Sequence, residues 1–305
     1  MPQRLRGEGI RIMAQGAFGN RRAWGLCNVT HSARLDLVAE GLPIILDSAE
    51  GFRAAAIMLN EQGRRREASV LDGFALEEAA KVLILVDLAR CPRRLTGKRC
   101  GSIVRTFYGH LGRLIYADAQ AWRPSTVKEL RTYVDSARKS HGLEGYVGEY
   151  IVPNWSTYFR ESALYADIES DEQGALSWNR PAALTSAWSR FEPPVLLLAR
   201  ALRDLGLFAR ASLEIVSEEW SALDFVDGEG AEEATRLTRA VLERMLAAGL
   251  VPDTATDDQA QLLLHRWQLP MYDLDFRELE VPLETLAAER EAALWAEAGY
   301  GPGDY

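Results

Sequence analysis

The sequence predicts an all-α protein: an up-and-down four-helix bundle, a small irregular or hairpin insert, and a helical C-terminal extension. Three observations predict it. Apolar residues recur at helical spacing through most of the chain. Prolines and turn-rich pairs stand at the ends of those stretches. The chain has 305 residues, 48% of them apolar, enough for a sizeable core, and no apolar run is long enough to span a bilayer.

The elements follow in order. Residues 1–40 read as a basic N-terminal arm, with Arg4, Arg6 and Arg11 but no continuous apolar segment after them, so a secretory signal is not expected. A first helix is expected to start at Pro43 and run to Gly63, with Ile44, Ile45, Ala49, Phe52, Ala56 and Leu59 as its apolar positions. A second runs from Arg66 to Leu88, stopped by Cys91-Pro92, and a third from Gly101 to Trp122, ended by Arg123-Pro124. A fourth, capped by Ser125, runs from Thr126 to His141. Short joints between four helices imply an up-and-down bundle. Residues 142–180 break the pattern. Pro153-Asn-Trp is turn-rich, and Ala163-Leu-Tyr-Ala-Asp-Ile and Ala175-Leu-Ser-Trp flank a polar segment as a hairpin would. Helices resume at Pro181–Leu205, Ala231–Ala248, Asp257–Gln268 and Pro282–Ala298. The resulting division is 1–40, 41–180 and an acidic helical region at 181–305.

Charge is distributed unevenly. Residues 1–140 hold 23 basic against 14 acidic side chains, net +9; residues 141–305 hold 12 against 30, net −18. Between Ala89 and Tyr116 lie Arg90, Arg93, Arg94, Lys98, Arg99, Arg105 and Arg113, with no acid. Such a run would gather a phosphate backbone near His110, and all but Arg105 are read as direct RNA contacts. A solvated basic loop between helices is the plainer alternative. The acidic half is expected either to dock beside the basic cleft and restrain RNA access, or to be an extension that aids solubility. Cys27, Cys91 and Cys100 form no C-x-x-C pair and no His clusters with them. That argues against a disulfide framework or a metal site, and for a reducing cytoplasm.

The chemistry-bearing pair is Arg105 and His110. A histidine that moves a proton and an arginine that holds charge developing on phosphorus can cleave RNA without a metal. His31, His141 and His265 have no Arg five to seven positions before them. On an ideal helix, five residues advance about 500°, leaving Arg105 and His110 about 140° apart. They would converge only through the long Arg side chain, a distorted turn, or a partner subunit. Glu77 and Lys81 are spaced as an exposed helix pair. Adjacent Glu77 and Glu78 point about 100° apart, so one carboxylate could instead orient His110 or Arg105 from a neighbouring helix.

Leu46-Asp-Ser-Ala-Glu-Gly-Phe, the run Glu67 to Lys81 with its Ala-x-Glu-Glu-x-x-Lys element, the His110 segment and Glu161-Ser-Ala-Leu-Tyr-Ala-Asp resemble the AbiV family of abortive-infection proteins. That family lies within the HEPN superfamily, and the resemblance covers about residues 41–181. It implies a HEPN-like four-helix domain that often dimerises, placing two Arg–His pairs in one cleft. It also implies Arg105 and His110 as catalytic residues, with Glu77, Glu78, Lys81 and Thr106 supporting them. Thr106 stands where Asn, Asp or His is common. Gly112 stands where some toxin pairs carry a Tyr used for modification. The expectation is a cytoplasmic antiphage effector and metal-independent endoribonuclease with no cofactor. It would act on host or phage RNA as a homodimer, respond to a phage-encoded trigger, and not enter a membrane. A non-catalytic binding module that senses or recruits a phage or host protein is the alternative, since superfamily members differ in activity.

Overall fold

The computed structural model describes residues 23–170, 174–182, 191–267 and 269–299. Arg4, Arg6 and Arg11 lie outside them. Over the described residues the protein is mostly helical, with two small two-stranded antiparallel sheets. No helix among these residues is long and apolar enough to cross a membrane.

Helix α1 spans His31–Glu61 and so begins well before Pro43, which lies inside it. Thr30 caps it, its side-chain oxygen accepting from the Ala33 N–H at 3.3 Å. Leu35, Val38, Leu42, Leu46 and Ala49 form one buried stripe that runs straight past the proline. Packing of that stripe outweighs the single hydrogen bond Pro43 removes. The expected arm is therefore helical from His31 onward. Gly63, at φ +76°, turns the chain where a side chain would be strained.

Helix α2 is Arg65–Arg90, close to expectation. The expected third helix is instead two. Helix α3, Arg93–Tyr108, starts directly after Pro92, and helix α4, His110–Asp118, follows a break at Gly109 (φ −76°, ψ 125°). The basic run is thus helical, not a loop. Thr126, rather than Ser125, caps helix α5 (Val127–Ala137) by accepting from the Glu129 N–H at 3.2 Å.

Strands β1 (His141–Glu144) and β2 (Tyr150–Pro153) form a hairpin. Helix α6 (Trp155–Leu164) then starts on Asn154, whose side-chain oxygen accepts from the Thr157 N–H at 3.1 Å. The one hairpin expected from the sequence is present as β3 (Asp167–Ser170) paired with β4 (Leu176–Asn179), while β1–β2 lies where only turns were expected. Helix α7 is Pro194–Asp204; of the helix expected from Pro181, residues 183–190 lie outside the described residues. Helix α8 (Arg210–Trp220) had not been expected, whereas α9 (Ala231–Ala247), α10 (Asp257–Arg266) and α11 (Leu283–Glu297) match expectation closely. Gln268 lies outside the described residues.

Helix α2 is the hub. From Val82 to Arg90 every residue is buried, and α1, α3, α4, α6, α7 and α8 all pack on it. A helix apolar on all sides needs cover on all sides. Leu196, Leu198 and Leu202 of α7 and Val216 and Trp220 of α8 provide it, in one core with Leu42, Leu46 and Val86. The described residues of 181–305 are therefore not an independent extension. The Arg90 guanidinium lies 3.7 Å from the Trp220 ring and 4.7 Å from Trp267, while its Nη1 donates to Asp87 Oδ1 at 2.8 Å. Asp87 Oδ2 accepts from the Tyr116 hydroxyl and, at 2.7 Å, from the Met271 N–H. A chain cut near Asn179 should accordingly fail to fold: circular dichroism should show lost helix and dye binding should report exposed apolar surface. A folded, monodisperse fragment would contradict the single core.

Candidate active site

The site forms where α2, α4 and α6 meet. Gly109 takes an extended conformation, so helix α4 begins afresh with His110, whose side chain is 56% exposed. The 140° separation presumes one continuous helix and does not apply. Facing His110 from α2 is Glu77, its side chain only 3% exposed.

Glu77 uses both oxygens. Oε2 is 2.8 Å from His110 Nδ1 and 2.7 Å from Arg113 Nη2; Oε1 accepts from Arg160 Nε at 2.8 Å. Two guanidiniums and an imidazole thus compensate a buried carboxylate, which would otherwise be costly in this setting. Arg113 Nη2 also sits 2.8 Å from His110 Nδ1. That nitrogen can serve one in-plane partner at a time. Donation from Nδ1–H to the Glu77 carboxylate is the charge-assisted choice, and Arg113 then donates to the same carboxylate. In this tautomer Nε2 is the acceptor nitrogen, and no hydrogen bond to it is made among the described residues. Burial lowers the Arg113 pKa and the adjacent Glu77 charge pushes it back up.

The other anticipated residues are placed as follows. Arg105 is exposed on the last turn of α3, and its carbonyl accepts from the Gly109 N–H at the break. Glu78 pairs with Lys81, and Lys81 Nζ lies 5.4 Å from the centre of the Phe107 ring. The Glu77–Lys81 pairing suggested by spacing is not the one formed. Thr106 is buried, donates to the Ser102 carbonyl at 3.2 Å, and faces Gly112 rather than the site. A Cβ at Gly112 would approach Thr106 Cγ2 at 3.1 Å and Phe276 Cβ at 3.2 Å. No larger side chain fits there without movement. Gly112→Val is expected to cost about 1–3 kcal/mol, read as a lower urea midpoint at unchanged m.

The basic run divides in two. Arg93, Arg94 and Lys98 are exposed, although Arg94 Nη1 also donates to the Ser221 carbonyl at 3.1 Å. Arg90 is buried, Arg113 is held by Glu77, and Arg99 bonds Asp224 at 2.6 Å and Asp273 at 2.9 Å. These three present little cationic surface to a polyanion.

Arg160 was not among the anticipated residues. It lies in a segment whose sequence reads as irregular, with Pro153-Asn-Trp turn-rich, whereas Asn154 caps a helix. The spacing Asn154…Thr157 ahead of Tyr158-Phe159 is the local signal for that helix.

Beside Glu77 and Arg160 opens a pocket of about 470 Å³, with Phe74, Leu114 and Phe159 among its apolar walls and Asp118 at its edge. The Trp155 and Phe159 rings stack with centroids 5.2 Å apart. Among the described residues no group of three or more His, Cys, Asp or Glu is placed to hold a metal ion. No family model, curated protein or solved structure matches the chain.

Proposed function

We propose that the chain is a metal-independent endoribonuclease of antiphage defence, an AbiV-like effector built on a HEPN-like bundle, with His110 as its proton-transfer group. One observation carries this reading. The first Glu of the Ala-x-Glu-Glu-x-x-Lys element meets Nδ1 of His110 across the helix interface at 2.8 Å, so that Nε2 is the nitrogen left to accept a proton. A buried carboxylate that fixes the tautomer of an exposed histidine is what a general base requires. An ordinary surface histidine requires no such partner.

In the proposed reaction Nε2 of His110 takes the proton of a ribose 2′-hydroxyl. The 2′-oxygen bonds to phosphorus, the bond from phosphorus to the 5′-oxygen breaks, and that oxygen takes up a proton from solvent. The products are a 2′,3′-cyclic phosphate and a 5′-hydroxyl. Arg113 and Arg160 both pair with Glu77, and Glu78 is paired with Lys81, so one positive charge is left over to favour the extra negative charge of the phosphorane. Arg105, exposed on the last turn of α3 five residues before His110, is assigned the direct contact to it. Arg93, Arg94 and Lys98 extend the positive surface along α3 for sequence-independent backbone binding. We further propose a cytoplasmic homodimer acting on host or phage RNA and released by a phage-encoded trigger.

A second reading has its own observation. Ile168, Leu176 and Trp178 on the β3–β4 hairpin are 49%, 73% and 73% exposed, a clustered apolar surface suited to a protein partner. RNA integrity in cells expressing wild type or His110→Ala separates the two. Intact RNA under wild-type expression, together with toxicity that depends on Trp178 and not on His110, would favour the binding module.

A further inference from the structure

The pocket beside Glu77 is polarised along one face of α4. His110, Leu114 and Asp118 are four residues apart, so they share that face, with the two ends separated by about 12 Å of helix. Leu114 and Asp118 both line the pocket, as do Glu77 and Arg160, which are paired to each other. His110 and Arg113 stand outside the lining and reach it only through Glu77, so a phosphate at His110 would sit beside the pocket rather than in it. The Asp118 end is a carboxylate. Its walls also include the rings of Phe74, Trp155 and Phe159, the last two stacked on each other.

Asp118 is short of partners. Among the described contacts its carboxylate accepts one hydrogen bond, from Ser156 Oγ at 3.3 Å, with no cation paired to it. It is exposed to the pocket, yet enough protein surrounds it that desolvation raises its pKa, with the Ser156 bond acting against that. Asp72, also on the wall, is by contrast already engaged by Arg53 at 2.6 Å. A ligand that suits such a pocket is flat, anionic at one end, and rich in N–H donors at the other.

We propose that this pocket is a nucleobase subsite and that Asp118 is its specificity-determining residue, selecting bases with an exocyclic amine (cytosine, adenine, guanine) over uracil. The inference rests on the ribonuclease reading for its orientation, with the scissile phosphate at His110. The aromatic walls accept any base, since every base has a stacking face. Discrimination comes from the far edge. An exocyclic amino group donates to the Asp118 carboxylate, whereas the O4 of uracil in the same place sets a second acceptor against it, and uracil must shift to offer its N3–H instead.

The test uses the full chain and nucleoside 3′-monophosphates in calorimetric titration, with inorganic phosphate as control. One charge-assisted hydrogen bond predicts cytidine 3′-monophosphate to bind about ten- to a hundredfold more tightly than uridine 3′-monophosphate. Asp118→Asn keeps the shape and can donate to O4, so it should abolish or invert that ratio while far-UV circular dichroism is unchanged. Equal affinities in the wild type, a ratio unaltered in folded Asp118→Asn, or binding no better than inorganic phosphate would each overturn the subsite. The two readings fail separately. His110-dependent RNA cleavage with no amine preference removes the subsite and leaves the ribonuclease. Amine-selective nucleotide binding without any cleavage removes the ribonuclease and leaves the subsite.

Discussion

His110→Ala is expected to lower RNA cleavage by the purified protein on the order of 100- to 10,000-fold, the usual cost of losing a proton-transfer group. The melting temperature should barely change, because the side chain is more than half exposed and contributes little packing. Glu77 behaves differently. Glu77→Gln keeps the shape but offers His110 and the two arginines a neutral amide, so the tautomer and ring orientation are no longer held by charge. Activity should fall by less than in His110→Ala, and stability should fall as well, because Arg113 and Arg160 lose the charge that compensates their burial. An exposed histidine whose loss removes activity alone, beside a buried carboxylate whose loss affects both activity and stability, is the signature of an oriented base. Equal activity of folded His110→Ala and wild type would show that the dyad is structural.

Arg90→Ala should be the most destabilising single change in the basic run. It removes a guanidinium packed against the rings of Trp220 and Trp267 and leaves the Asp87 carboxylate buried without its cation. Breaking a buried pair in this way costs about 3–5 kcal/mol. Chemical denaturation should show it as a lower midpoint. Arg93→Ala and Lys98→Ala should change the unfolding free energy by no more than about 0.5 kcal/mol. Their effect should fall on RNA binding, each reducing the slope of log affinity against log salt by about one. An Arg90→Ala protein as stable as wild type but weak in RNA binding would place Arg90 at the nucleic-acid surface and contradict the core described here.

Much of the helical architecture was legible because periodicity and caps are local signals. Helices α2, α9, α10 and α11 begin and end near their expected limits, and Thr256 with Gln259 forms a capping box at the start of α10. The errors have physical causes. Pro43 was read as a helix start, but the stripe Leu35 to Ala49 packs continuously through it. Gly109 was read through as helix, and its extended backbone is what frees His110 to turn toward α2. The role of residues 181–305 was partly readable. Val82-Leu-Ile-Leu-Val is apolar without a polar side, which a four-helix bundle exposed to solvent cannot accommodate. At the site, a carboxylate reaching His110 or Arg105 from a neighbouring helix is one of two readings the Glu77-Glu78 pair allows, and Glu77 makes the contact to His110. Arg160 was not foreseen, since its contact spans 83 positions in sequence and no local pattern encodes it. Net charge counted along a run could not separate exposed Arg93 from buried Arg90; only packing does that.

The most direct measurement of the central claim is the chemistry of the RNA ends. Purified protein is incubated with a 5′-labelled single-stranded RNA in excess EDTA, and the products are resolved before and after treatment that opens cyclic phosphates. The account predicts cleavage that persists in EDTA, fragments ending in 2′,3′-cyclic phosphate, and loss of both in folded His110→Ala. Cleavage that EDTA abolishes, fragments ending in a 3′-hydroxyl, or undiminished cleavage by His110→Ala would contradict it.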